Sequence, residues 1–119
     1  MGTWNTGPFD NDDAAELLED LRDGDLDLDM ILPDPTETYI EADQGAMIIA
    51  AAHLVAGSQR PEGVTDEQLA PLRTPEFREK LRQSLDAVLL DSSVSELHEL
   101  WSDSDQFDEW KAKSWVDLS

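Results

Sequence analysis

The 119-residue chain contains no cysteine and only eight basic residues. The absence of cysteine excludes disulfides, thiolate catalysis and thiolate zinc sites. The longest apolar run, from Ala46 to Ala52, ends at His53 and is too short to span a bilayer. Because the N-terminus also lacks the basic and apolar parts of a secretory leader, we expect a cytoplasmic protein that does not bind membranes.

Acidic residues outnumber basic residues by 28 to 8, which gives a net charge of −20. The excess is concentrated in residues 1–43, which contain fourteen acidic residues and one basic residue, Arg22. A surface of this sign repels phosphate groups, so we expect no nucleic-acid partner, whereas it attracts a basic protein. The alternative is that the acidity only suits the chain to a salt-rich cytoplasm, since Asp outnumbers Glu by seventeen to eleven.

Hydrophobic periodicity predicts helices along most of the chain. The first begins at Asp12 or Asp13, with Asp10 or Asn11 as its N-cap, and ends at Gly24. Its apolar residues share the spacing of one buried stripe: Ala14, Leu17, Leu18 and Leu21. Residues 25–30 alternate Asp with apolar residues, which fits either a strand or a short helix, and we favour the helix.

A mostly apolar helix from Tyr39 to Ala56 should be the most buried element. After it, Thr65 and Gln68 have the spacing of a capping box, and Thr74 precedes Pro75 at the start of an amphipathic helix. The apolar face of that helix carries Phe77, Leu81, Leu85, Val88 and Leu89. Its basic residues suggest a position beside the acidic first helix.

The last third of the chain predicts two short helices. Ser93 and Glu96 have capping-box spacing, and the apolar residues that follow at helical spacing include Leu100. The final helix should turn its aromatic side chains inward, Trp115 among them, whereas His98 should lie on the surface. The prediction is therefore an all-α fold, a compact single-domain bundle of about five helices over residues 1–119.

Residues 1–11 are expected to form an N-terminal arm that packs on this bundle. Trp4 and Phe9 flank Gly7 and Pro8. The glycine permits an unusual φ, and the proline stiffens the arm. Phe9 is placed to act as a hydrophobic staple onto the first helix, while Trp4 packs back on the core.

The opening M-G-x-W-x-x-G-P-F-D-N-D-x-A resembles that of a small bacterial family, the domain of unknown function 4259. Two further segments agree: YIEADQGAMIIAAAHLVA, which contains Glu41, and SELHELWSDSDQFDEW, which contains Trp101 and Trp110. The resemblance covers most of the chain. It implies a small, mainly helical, cytoplasmic protein and brings no established activity.

Carboxylates provide the strongest candidate for a ligand site. Asp10, Asp12, Glu41 and Asp43 would suit a divalent metal if the first two helices lie together. Helix capping and solvation explain the same residues without a metal. His53 stands among apolar residues, which favours a core histidine over a general base.

The chain contains no catalytic or cofactor-binding motif, so we expect no cofactor and lean away from an enzyme. We predict a non-enzymatic interaction protein that binds a basic partner, as an inhibitor or an immunity-like protein does. The alternatives are a soluble domain with salt-adapted acidity and a divalent-metal-binding module. The oligomeric state does not follow from the sequence.

Overall fold

The computed structural model describes residues 12–24, 31, 39–57, 64–91 and 93–118. Its helices are α1 (Asp12–Asp23), α2 (Ala42–Ala56), α3 (Asp66–Leu69), α4 (Pro75–Leu90), α5 (Glu96–Ser102) and α6 (Phe107–Ser114), with a 3₁₀ turn (Ala70–Arg73) before α4. The all-α prediction is confirmed, and these six helices are close to the expected five. The predicted arm, residues 1–11, and the alternating segment 25–30 lie outside the described residues.

The first helix has the predicted start and buried stripe. α1 begins at Asp12, and its four stripe residues are buried. Gly24 and Gly57 follow α1 and α2 with φ of 76° and 75°, left-handed values that glycine adopts without strain. The predicted N-cap, Asp10 or Asn11, lies outside the described residues.

The centre of the fold is α2, in which ten of fifteen residues are buried. It begins at Ala42, three residues later than predicted, because the chain before it is extended. Ile40 donates its N–H to the Val94 carbonyl (2.6 Å) and accepts from the Glu96 N–H (3.0 Å), which forms a parallel bridge. This long-range pairing overrides the helical pattern of Tyr39 and Ile40.

Both predicted caps in the middle of the chain are confirmed. Thr65 and Gln68 form the capping box of α3, and Thr74 accepts the Phe77 N–H at the start of α4. The predicted apolar face of α4 is buried. α4 packs mainly against α2, as α1 does, rather than beside α1 as expected. Because α2 is mostly apolar, α1 and α4 can each bury an apolar face against it.

The predicted Ser93–Glu96 capping box is wrong. α5 begins at Glu96, and its N-cap is Ser95, whose hydroxyl accepts the His98 N–H (3.1 Å). Ser93 instead hydrogen-bonds to the Asp91 carboxylate. The bridge to Ile40 places the N-cap of α5 at Ser95, two residues beyond the predicted cap.

Two apolar residues that were expected to face inward are exposed. Leu97 and Trp101 are the buried residues of α5. Leu100 directly precedes Trp101 in the sequence, and 43% of its surface remains accessible. Trp115 follows the end of α6 in extended backbone and is 54% exposed. Trp101 and Trp110, in contrast, are buried and stack on each other with ring centroids 5.7 Å apart.

Candidate functional site

The residues singled out from the sequence occupy different parts of the chain. Trp4, Gly7, Pro8, Phe9, Asp10 and Asn11 lie outside the described residues. Asp12 is the first residue of α1, and Glu41 is exposed immediately before α2. Among the described members of the set, Trp101 and Trp110 are in contact, between α5 and α6.

Acidic side chains surround one tyrosine where α2 and α5 begin side by side. We call Tyr39, Glu41, Glu96 and Glu99 the Tyr39 corner. The Tyr39 hydroxyl donates to Glu99 Oε2 (3.2 Å), and Glu96 Oε1 accepts the Ala42 N–H (2.8 Å). Desolvation, the hydrogen bond to Glu99 and the charges of the three carboxylates together raise the pKa of Tyr39. Because Glu96 belongs to α5, its hydrogen bond to the Ala42 N–H caps α2 from another helix.

Helix electrostatics explain why acids gather in the Tyr39 corner. The N-terminal ends of α2 and α5 carry partial positive charge, which stabilises nearby carboxylates. Asp43 lies in the first turn of α2, where its Oδ1 accepts the Gln44 N–H (2.8 Å). Across the described ranges, no group of three or more acidic or histidine side chains is arranged to hold a metal ion. Asp10, one of the four predicted ligands, lies outside those ranges.

Four basic residues of α4, α6 and the 3₁₀ turn before α4 are engaged by acids of the same chain. The ion pairs are Arg73–Asp66 (3.3 Å), Lys80–Glu76 (3.8 Å), Arg82–Glu79 (2.6 Å), Arg82–Asp86 (3.8 Å) and Lys113–Glu109 (3.5 Å). Three acidic residues of α1 are not engaged in this way. Glu16, Glu19 and Asp23, which we call the α1 carboxylates, are exposed and have no ion-pair or hydrogen-bond partner in the described part of the chain.

The two histidines are built into the bundle. His53 is a core histidine, as expected: its ring is buried, and Nε2 donates to the Ser114 carbonyl (2.8 Å). Burial lowers its pKa, and the hydrogen bond to Ser114 partly offsets this effect. His98 is half-buried rather than on the surface, because its ring meets the Phe107 ring edge-on at 5.1 Å.

A family model described as "Domain of unknown function (DUF4259)" matches residues 2–113. The chain belongs to the DUF4259 family. No curated protein and no solved structure matches it. In the described part of this DUF4259 protein, no helix is long and apolar enough to cross a membrane.

The DUF4259 chain also presents two exposed aromatic residues that sequence reasoning placed elsewhere. Tyr39 was assigned to a helix, and Trp115 was expected to point inward. Trp115 lies just beyond the family match, in a C-terminal segment whose last described residue, Leu118, is buried. A sequence signal for Trp115 was available: after α6, the apolar residues Val116 and Leu118 alternate with the polar Asp117, which is typical of an extended segment.

Proposed function

We propose that this DUF4259 protein is a single-domain, non-enzymatic interaction protein of the cytoplasm that binds a basic protein, in the manner of an inhibitor or an immunity protein. The observation that carries the proposal is the set of α1 carboxylates. They are exposed and unpaired in the described part of the chain, whereas Arg73, Lys80, Arg82 and Lys113 already have acidic partners. Lysine and arginine side chains of a partner would supply the missing positive charge.

The position of Asp23 supports an external role for these acids. Asp23 is the last residue of α1, where the helix dipole is negative and a carboxylate lowers helix stability. Because the Asp23 carboxylate destabilises the helix that carries it, a role in binding explains its position better than a role in folding. The surrounding charge would also accelerate encounters with a basic protein and repel nucleic acids.

A pull-down with the full-length protein from a native lysate of its own organism tests the proposal. We expect a basic protein to be retained at low salt and released as the salt concentration rises, because exposed ion pairs are screened. The proposal is wrong if no basic protein is retained, or if the retained protein is insensitive to salt. The first of these results would favour acidity as an adaptation to a salty cytoplasm.

A further inference from the structure

We propose that Trp115 anchors the interface with the basic partner by stacking on an arginine side chain of that partner, an inference that rests on the proposed function. Trp115 is 54% exposed, although tryptophan is among the most buried residues on average. Tryptophan is also over-represented among the interface residues that dominate binding energy. The residue therefore combines an unusual position with the chemistry of an interface anchor.

The chain around Trp115 is held at both ends. The Trp115 N–H donates to the Lys111 carbonyl (3.1 Å), and His53 binds the carbonyl of Ser114 (2.8 Å). Three residues further on, Leu118 is buried, and its carbonyl accepts the Nε–H of Arg78 (2.7 Å). Because the backbone is already fixed, binding through the indole costs little additional ordering.

The extended segment places a carboxylate on the same side as the indole. Trp115 and Asp117 are exposed, whereas Val116 is partly buried and Leu118 is buried. The two exposed side chains therefore lie on the solvent side of the segment. A guanidinium that stacks on the Trp115 ring is therefore within the reach of the Asp117 carboxylate.

This geometry favours arginine over lysine. A planar guanidinium stacks on an indole and still donates hydrogen bonds to a carboxylate from its edge. The lysine ammonium is a compact, strongly hydrated charge and gains less from the ring. The partner would then present an arginine at the contact, and replacing that arginine with lysine would weaken the complex.

Oligoarginine and oligolysine peptides of equal length are suitable probes. We would titrate each peptide, by calorimetry at about 0.15 M salt, into the wild-type protein, Trp115→Ala, Trp115→Phe and a matched control, Leu90→Ala. Leu90 is 63% exposed at the end of α4, so the control also truncates an exposed apolar side chain. We expect wild type to bind oligoarginine at least about fivefold more tightly than oligolysine. Trp115→Ala should abolish most of that preference, Trp115→Phe should keep part of it, and Leu90→Ala should keep all of it.

The outcomes separate this inference from the proposed function. If Trp115→Ala retains the full preference for oligoarginine, or if wild type has none, Trp115 is not the anchor. The proposed function survives either result, provided that substituting the α1 carboxylates weakens the binding of both peptides. If wild type binds neither peptide at this salt concentration, both the anchor and the acidic binding surface are wrong.

Discussion

His53 shows how burial disfavours the charged form of a side chain even where a hydrogen bond partly offsets the effect. Its buried ring donates through Nε2 to the Ser114 carbonyl, and burial disfavours the charged form. The pKa of His53 therefore lies below the ordinary value of 6.5. As pH falls below 6.5, the unfolded chain takes up a proton before the folded chain does, so the free energy of unfolding decreases. Well above pH 6.5 the imidazole is neutral in both states, so His53 adds little pH dependence there.

Replacing His53 with glutamine should remove this pH dependence. Glutamine keeps an N–H donor for the Ser114 carbonyl but does not titrate. Between about pH 8 and pH 5, the wild-type free energy of unfolding should fall below pH 6.5 by up to about 1.4 kcal/mol per pH unit more than that of His53→Gln. Urea denaturation measures both curves, with His98→Gln as the control. Parallel wild-type and His53→Gln curves would contradict the assignment.

The sequence predicts the environment of some residues and not of others. His53 is surrounded by apolar residues along α2, so its burial follows from the local pattern. The environment of His98 depends on Phe107, which belongs to a different helix. Trp115 lies just beyond α6, where helical spacing no longer determines which side faces the core. Local patterns therefore identify the residues within a buried stripe, but not the contacts that another element supplies.

At the scale of the elements, α2 and α5 begin as a pair. The bridge between Ile40 and Ser95 brings the two N-termini together, and Glu96 caps α2 across the junction. Sequence reasoning assigned Glu96 to a capping box with Ser93, because that motif is local. The long-range cap has no signature in the spacing of the residues, so it could not be predicted.

Serine substitutions distinguish the two capping schemes. Ser95 is buried and accepts the His98 N–H, so Ser95→Ala should cost about 1 kcal/mol of unfolding free energy. Ser93→Ala should cost less than about 0.5 kcal/mol, because Ser93 is exposed outside the helix. Urea denaturation of both variants gives the comparison. A larger loss for Ser93→Ala would restore the local capping box.

Gly45 permits the close approach of α2 and α5. A Cβ at this position would lie 3.3 Å from both Cβ and Cδ2 of Leu97 and 3.6 Å from Cγ1 of Val88. Gly45→Ala gains up to about 1 kcal/mol of helix propensity. Overpacking costs about 1–3 kcal/mol, and Leu97 Cβ is tied to the backbone and cannot move away freely. We expect a net loss of roughly 1 kcal/mol and a lower Tm; an increased Tm would show that α5 shifts easily.

At the scale of the whole molecule, the sequence predicts the fold class and the sign of the charge. The apolar stripes of α1 and α4 and the mostly apolar α2 are sufficient for a helical bundle. The sequence also predicts two of the ion pairs. Lys80 and Lys113 lie four residues after Glu76 and Glu109, a spacing that brings opposite charges together on a helix. The isolation of the α1 carboxylates depends on which surfaces face α1, which residue spacing does not reveal.

Excess negative charge makes the stability of the molecule depend on salt. Like charges on α1 and in the Tyr39 corner repel one another, and dissolved ions screen that repulsion. The free energy of unfolding should therefore rise with sodium chloride concentration. Glu16→Gln/Glu19→Gln/Asp23→Asn, the α1 triple variant, should show a smaller rise, as measured by urea denaturation at several salt concentrations. Identical salt dependence in wild type and variant would mean that repulsion at the α1 carboxylates does not limit stability.

The affinity of the retained basic partner for two matched variants tests the central claim most directly. One is the α1 triple variant; the other, Glu76→Gln/Glu79→Gln/Glu109→Gln, removes three carboxylates that already have ion-pair partners. Both variants lose three negative charges, so their total charge is equal. By calorimetry, we expect the α1 triple variant to bind at least about tenfold more weakly than wild type, which corresponds to about 1.4 kcal/mol, and the other variant to bind like wild type. Equal affinities for the two variants would contradict a binding surface on α1.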